Sequence, residues 1–244
     1  MRHWLDPLRE TLDGTASPVT FFFRDDDAGW EDDRLRALLA LFARHAIPLD
    51  LAVIPGALTA PLAEDLKWRS NDRLGVHQHG FGHINHEVSG RKCEFGPSRT
   101  AAQQAQDLLQ GRRLLEERLD SSVDPIFTPP WNRCTQATAD CLAMLGYRVL
   151  SRDATASRLR LNGVMELPVS VDWLRCKDGV WVSLADIGKL IAAATPFPVG
   201  VMLHHAVMDD AELQQLESLL LLLAGHSAAR CVLMREAAGL AAEA

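Results

Sequence analysis

Val19-Thr20-Phe21-Phe22-Phe23-Arg24-Asp25-Asp26-Asp27-Ala28-Gly29 passes from apolar to acidic without a break. Residues 19–23 are mostly β-branched or aromatic, which suits a strand buried on both faces, as the strands of parallel sheets are. Three adjacent carboxylates stand where that strand would end. Like charges so crowded repel, so a cation or metal must offset some of them unless they stay well solvated. The plainer alternative is an acidic start to the helix that follows from about Glu31.

Outward from this stretch, apolar runs and helical segments alternate. Residues 31–45 carry Leu35, Leu38, Leu39 and Leu41 largely on one helical face. A second strand is predicted at 48–54, a helix at 58–68, a third strand at 74–77 and a long amphipathic helix at 99–119. Further strands are predicted at 126–128, 147–150, 165–169, 199–203 and 231–234. A helix over 209–224 opens with Asp-Asp-Ala-Glu, carboxylates suited to the positive end of a helix dipole. Seven or eight strands with helices between most of them predict an α/β fold, a closed or nearly closed barrel. Its 244 residues fit a single domain over 1–244. In such barrels the chemistry sits at the C-terminal strand ends.

Composition narrows the classes. Hydrophobic residues make up 48% and charged residues 23%, as in folded globular chains. The net charge of −7 is spread out, and Arg112-Arg113 sits among acidic neighbours, which excludes nucleic acid as a partner. The opening Met-Arg-His-Trp-Leu-Asp-Pro lacks a secretory apolar run, and the longest apolar run, 219–224, is too short to insert in a membrane. Five cysteines, an odd number without a CxxC pair, argue for reduced thiols and a cytoplasmic location.

Three more reactive clusters follow predicted strands. Gly75-Val76-His77-Gln78-His79-Gly80-Phe81-Gly82-His83-Ile84-Asn85-His86 holds four of the nine histidines. The HxxxH spacing of His79 and His83 can bring two imidazoles to one metal, with His77 and His86 as neighbours. Phe127-Thr128-Pro129-Pro130-Trp131-Asn132-Arg133 is stiff and extended; its Trp offers a flat apolar face to a sugar or acyl group, or else packs in the core. Gly200-Val201-Met202-Leu203-His204-His205-Ala206 delivers two histidines from an apolar strand. Alternation sends one inward and one away, and His204 is taken as the inward one.

In order, these clusters resemble the motifs of the polysaccharide deacetylase family of carbohydrate esterases, in a divergent branch. The resemblance implies a distorted (β/α)7 barrel and a metal-dependent hydrolase. It implies Asp26 as general base, Asp27, His79 and His83 as metal ligands, and His204 as general acid. A shifted register would give Asp25 and Asp26 the acidic roles, with His205 as the alternate to His204. Pro130 and Trp131 match the family's groove wall. The chain departs from the family at Ala28, where Gly is usual, and at Thr128, where an Arg usually orients the base; Arg24 and Arg99 are the candidate substitutes.

The expected reaction is removal of an acyl group, N-acetyl above all, from a small or sugar-like substrate such as an N-acetylated, nucleotide-linked or lipid-linked sugar. One divalent ion is expected, zinc by default for two histidines and a carboxylate, with cobalt, nickel, iron and manganese fitting similar ligands. The rival readings are a metal-dependent amidase for a non-sugar substrate and a catalytically silent ligand-binding barrel. The oligomeric state is not encoded in any feature of the sequence.

Overall fold

The apolar start of the decisive stretch forms a strand, as the run of aromatics predicts, and the acidic triplet lies within that strand rather than beyond it. In the computed structural model, which describes residues 3–69, 73–120, 123–174, 176–177, 180–195 and 197–240, helix α1 (Asp6–Gly14) leads into β1 (Val19–Ala28). Next come α2 (Asp32–Arg44), β2 (Leu49–Val53), α3 (Ala60–Arg69), β3 (Leu74–His79), α4 (Ala101–Leu119), β4 (Ile126–Thr128), α5 (Gln136–Met144) and β5 (Val149–Leu150). The second half contains β6 (Met165–Glu166), β7 (Val171–Asp172), a small antiparallel pair β8 (Cys176–Lys177) and β9 (Val180–Trp181), and α6 (Leu184–Ala193). The chain then passes through β10 (Val199–Leu203), α7 (Asp210–Gly225), β11 (Ala229–Cys231) and α8 (Met234–Ala237).

The main sheet is parallel, in the order β6-β5-β4-β3-β2-β1-β10-β7, with β11 added against the start of β1. Its two ends are halves of one extended stretch. Leu167 N donates to Leu150 O and Val169 N to Arg152 O, whereas Ser170 N donates to Gly200 O and Trp173 N to Met202 O. This stretch therefore bridges β5 and β10 and closes the sheet. Counting it once, the staves among the described residues are β1 to β5, the β6–β7 run and β10, a distorted (β/α)7 barrel.

Strand alternation divides the core. Phe21 and Phe23 of β1 join the leucines of α2 and α7 in the outer layer. Phe22 turns inward to meet Ile126, Val149, Val169 and Met202. Helix starts follow the expected chemistry: Thr100 and Gln103 form a capping box on α4, and Asp209 and Glu212 another on α7.

The strand expected at 231–234 lies two residues earlier, as β11: its pairing ends at Cys231, and Met234 begins α8. A short apolar run reads alike for a strand and a buried helix, and here local bonds decide. Glu236 accepts from Leu233 N at 3.2 Å, and buried Asp50 accepts from Met234 N at 2.8 Å. The side chain of Met234 then enters the inner core beside Phe22. Helices α1, α5 and α6 were not delimited from sequence. Four cysteines, Cys93, Cys134, Cys141 and Cys231, are free thiols. Among the described residues no helix is long and apolar enough to cross a membrane.

Candidate active site

Alternation along β1 parts Asp25 from Asp26, and a register shift between Asp25 and Ala28 sends Asp27 a third way. Asp25 faces the outer layer, where its carboxylate meets His205 Nδ1 at 2.6 Å and accepts from His205 N at 3.0 Å. The other ring nitrogen, Nε2, lies 2.7 Å from the carbonyl of Trp30. Burial would pull this imidazole down, but the Asp25 charge and these bonds outweigh it and raise His205 to about 9. Both acceptors are met by an imidazolium. Asp25 and His205 are thus each other's partners, sealed from solvent.

Asp26 points inward, against Arg24, which is itself fully buried. The guanidinium forks onto the carboxylate, Nε to Oδ1 at 2.8 Å and Nη2 to Oδ2 at 2.9 Å. It also donates to Ser151 Oγ and Asn132 Oδ1, both at 2.8 Å. Burial would raise Asp26, yet the charges of Arg24, His79 and His204 prevail and hold it below the ordinary value. Of the two candidate arginines, Arg24 reaches Asp26; Arg99 is paired with Asp107 on α4.

Asp27 ends the run in a left-handed conformation, φ 68°, which an Asp tolerates better than most residues. Its Oδ1 lies 3.2 Å from Nε2 of both His79 and His83. The three donor atoms fall within 4.8 Å of one another, the only such trio among the described residues. His79 Nδ1 faces the carbonyl of Thr128 at 3.0 Å, and a carbonyl only accepts, so that nitrogen carries the proton. In neutral His79 the Nε2 lone pair then faces a carboxylate oxygen. Lone pair against lone pair repels unless a cation lies between them, so the donor set fits a divalent metal. His83 is held neutral, lowered to about 4 by burial and by His79. Without an ion, Asp27 instead favours the His79 imidazolium, whose pKa is raised, and its Nε2–H bond with the imidazole charges outweighs burial and holds Asp27 at about 2.

The loop between the two histidines is held from beneath. Buried Glu94 accepts from Phe81 N at 3.2 Å and Gly82 N at 2.8 Å. Gly80, φ 55°, sits so close that an added Cβ would stand 2.1 Å from Glu94 and 2.5 Å from Pro130. No sequence signal marked Glu94, because it lies eleven residues past His83 and acts only once the loop folds back. Pro130 is buried against this loop, whereas Trp131 presents its ring 4.4 Å from that of His83. Trp30, also unmarked by sequence, covers His83 from another side, with ring centres 4.8 Å apart. His77 lies deeper, its Nε2 bonded to Thr128 Oγ1 at 2.9 Å. His86 lies outside the trio.

A cleft of about 530 Å³ adjoins the trio, lined among others by Trp131, Asn132, Asp172, Met202 and His204. His204 is the half-buried neighbour of the sealed His205, and its charge is felt by Asp26, Asp27 and Asp172.

No family model and no curated protein sequence matches the chain. Solved structures do match. A family 4 acetyl xylan esterase from Clostridium thermocellum, in complex with a cobalt ion, shares 10% identity over 91% of this chain and 91% of its own, with a TM-score of 0.62. A Streptococcus mutans CE4 esterase shares 14% over 94% and 90%, TM-score 0.61. A CE4 family pseudoenzyme from Bacillus anthracis shares 11% over 92% and 66%, TM-score 0.63. At these identities the likeness is one of fold.

Proposed function

We propose that the chain, on the fold of the CE4 carbohydrate esterases, is a metal-dependent hydrolase that removes an acyl group, preferentially N-acetyl, from a sugar-like substrate. The observation that carries this reading is the convergence of Asp27, His79 and His83 beside a cleft that His204 borders, with Asp26 held by Arg24. Those three residues would hold one divalent ion, zinc being our assignment for this donor set, and the ion would supply Lewis acidity toward water and a carbonyl oxygen.

The chain's own groups do the rest. Asp26, kept ionised by Arg24, takes a proton from the attacking water. His204, in its protonated form, returns a proton to the leaving amine or alcohol. Trp131 gives the sugar ring an apolar face and covers His83. The Thr128 carbonyl fixes the His79 tautomer that leaves Nε2 free to ligate.

His79→Ala is expected to lose bound metal in elemental analysis, while Asp26→Asn keeps the metal and loses turnover of acetylated substrates. Equal metal content and equal activity in the two variants would refute the assignment. A panel of acetylated sugars against simple amides separates the sugar reading from a general amidase. A silent barrel is the rival suggested by the pseudoenzyme of the same fold. Base, acid and three ligands on one face weigh against it.

A further inference from the structure

We infer that the cleft binds a phosphoryl group of the substrate through Arg91, Lys92 and Arg133. The inference rests on the hydrolase reading for its substrate, though the anion site has a test of its own. Among the described residues none of these three cations forms an ion pair, and the Arg91 charge acts directly on Arg133. Arg91 and Arg133 line the same cleft as His204. Lys92 Nζ stands 6.0 Å from the centre of the Trp131 ring, which also neighbours His83.

The cations are carried on segments tied to each other rather than on loose chain. Arg133 Nη1 donates to Lys92 O at 2.8 Å, Cys93 Sγ donates to Arg133 O at 3.4 Å, and Phe95 bridges Cys134. Two like-charged guanidiniums brought together without an anion repel, a cost that a bound anion would reverse. Of the other charged groups of the cleft, Arg152 is paired with the Glu166 carboxylate, whereas Asp153 and Asp172 keep their charges and are held by backbone N–H groups, of Thr155 at 2.7 Å and of Leu174 at 3.1 Å.

A neutral N-acetyl sugar offers these cations nothing to bind, and a carboxylate offers a single charge. A phosphoryl group carries about −1.5 to −2 near neutral pH and three acceptor oxygens, which suits two arginine forks and an ammonium. The class implied is an acylated sugar phosphate or a sugar joined to a carrier through phosphate. A free sugar phosphate and a carrier-linked one share this chemistry and the same leaving amine, and relative kcat/KM for N-acetylglucosamine 1-phosphate and a nucleotide-linked N-acetylglucosamine separates them.

Inorganic pyrophosphate, titrated calorimetrically into the metal-free 244-residue chain, tests the site without the metal or the reaction. Wild type is expected to bind. Arg91→Gln and Arg133→Gln should each weaken binding about tenfold or more, whereas Lys189→Gln, which removes an equal charge from the exposed side of α6, should leave it unchanged. Absence of wild-type binding, or equal binding in all three variants, overturns the inference. With metal-loaded protein, kcat/KM for N-acetylglucosamine 1-phosphate should exceed that for N-acetylglucosamine and N-acetylmuramic acid by about tenfold or more. A preference for the carboxylated or the neutral sugar overturns the phosphoryl assignment. Turnover of none of the three counts against the hydrolase reading alone, and the pyrophosphate titration then decides the anion site by itself.

Discussion

A guanidinium sealed inside a barrel is costly unless its donors are met, and Arg24 meets Asp26, Ser151 and Asn132. Its bidentate hold on Asp26 both fixes the direction of the carboxylate and keeps it ionised. In Arg24→Met the burial that already opposes ionisation is left unanswered, so the Asp26 carboxyl should rise. The acid limb of the pH–rate profile is then expected to move upward and turnover to fall by roughly a hundredfold, with metal content retained. A profile identical to wild type would exclude Arg24 as the positioning residue. From sequence, Arg24 was one of two candidates and the triplet had two registers. Alternation puts residues 24 and 26 on one face and 25 on the other, but this settles the question only when one knows that the strand runs on to Ala28. The partner that excludes Asp25 from the cleft, His205, lies 180 residues away.

At the scale of elements, the Asp25–His205 pair joins β1 to the turn after β10, and Nε2 ties that turn to the segment before α2. His205 has a folded pKa of about 9 against an ordinary value near 6.5. A group raised on folding contributes stability that is fully present below its unfolded value and is lost as pH rises through the folded one. Stability measured by denaturant titration should therefore decline from pH 7 to pH 10, by at most roughly 3 kcal/mol from this group. His205→Gln should flatten that decline and lower stability at pH 7 by about 3–5 kcal/mol, since it leaves Asp25 buried without its cation. An unchanged slope would place the pH dependence elsewhere. Elements with strong periodicity or a clear cap, such as α2, α4 and α7, were legible in the sequence. The tail at 231–234 was not, because its fate depends on Asp50 of β2 accepting from Met234 N.

For the whole molecule, a barrel interior must be filled, and two features fill and close this one. The β6–β7 run changes partners midway, from β5 to β10, and α8 sends Met234 into the inner core. Met234→Ala should cost about 2–5 kcal/mol, read as a lower thermal midpoint, because neighbours drawn from five strands cannot all collapse into the space left. A cost below about 0.5 kcal/mol would show that α8 does not contribute to the core. The succession of buried runs and amphipathic helices determined an α/β barrel, and reactive residues at strand ends determined the face on which chemistry would lie, because both depend on local periodicity. Only the tertiary structure decided which carboxylate faces which histidine, that Arg24 rather than Arg99 reaches Asp26, and that Glu94 and Trp30 frame the ligand trio. Those relations join residues distant in the chain, and no local pattern encodes a distance that arises only when the sheet closes.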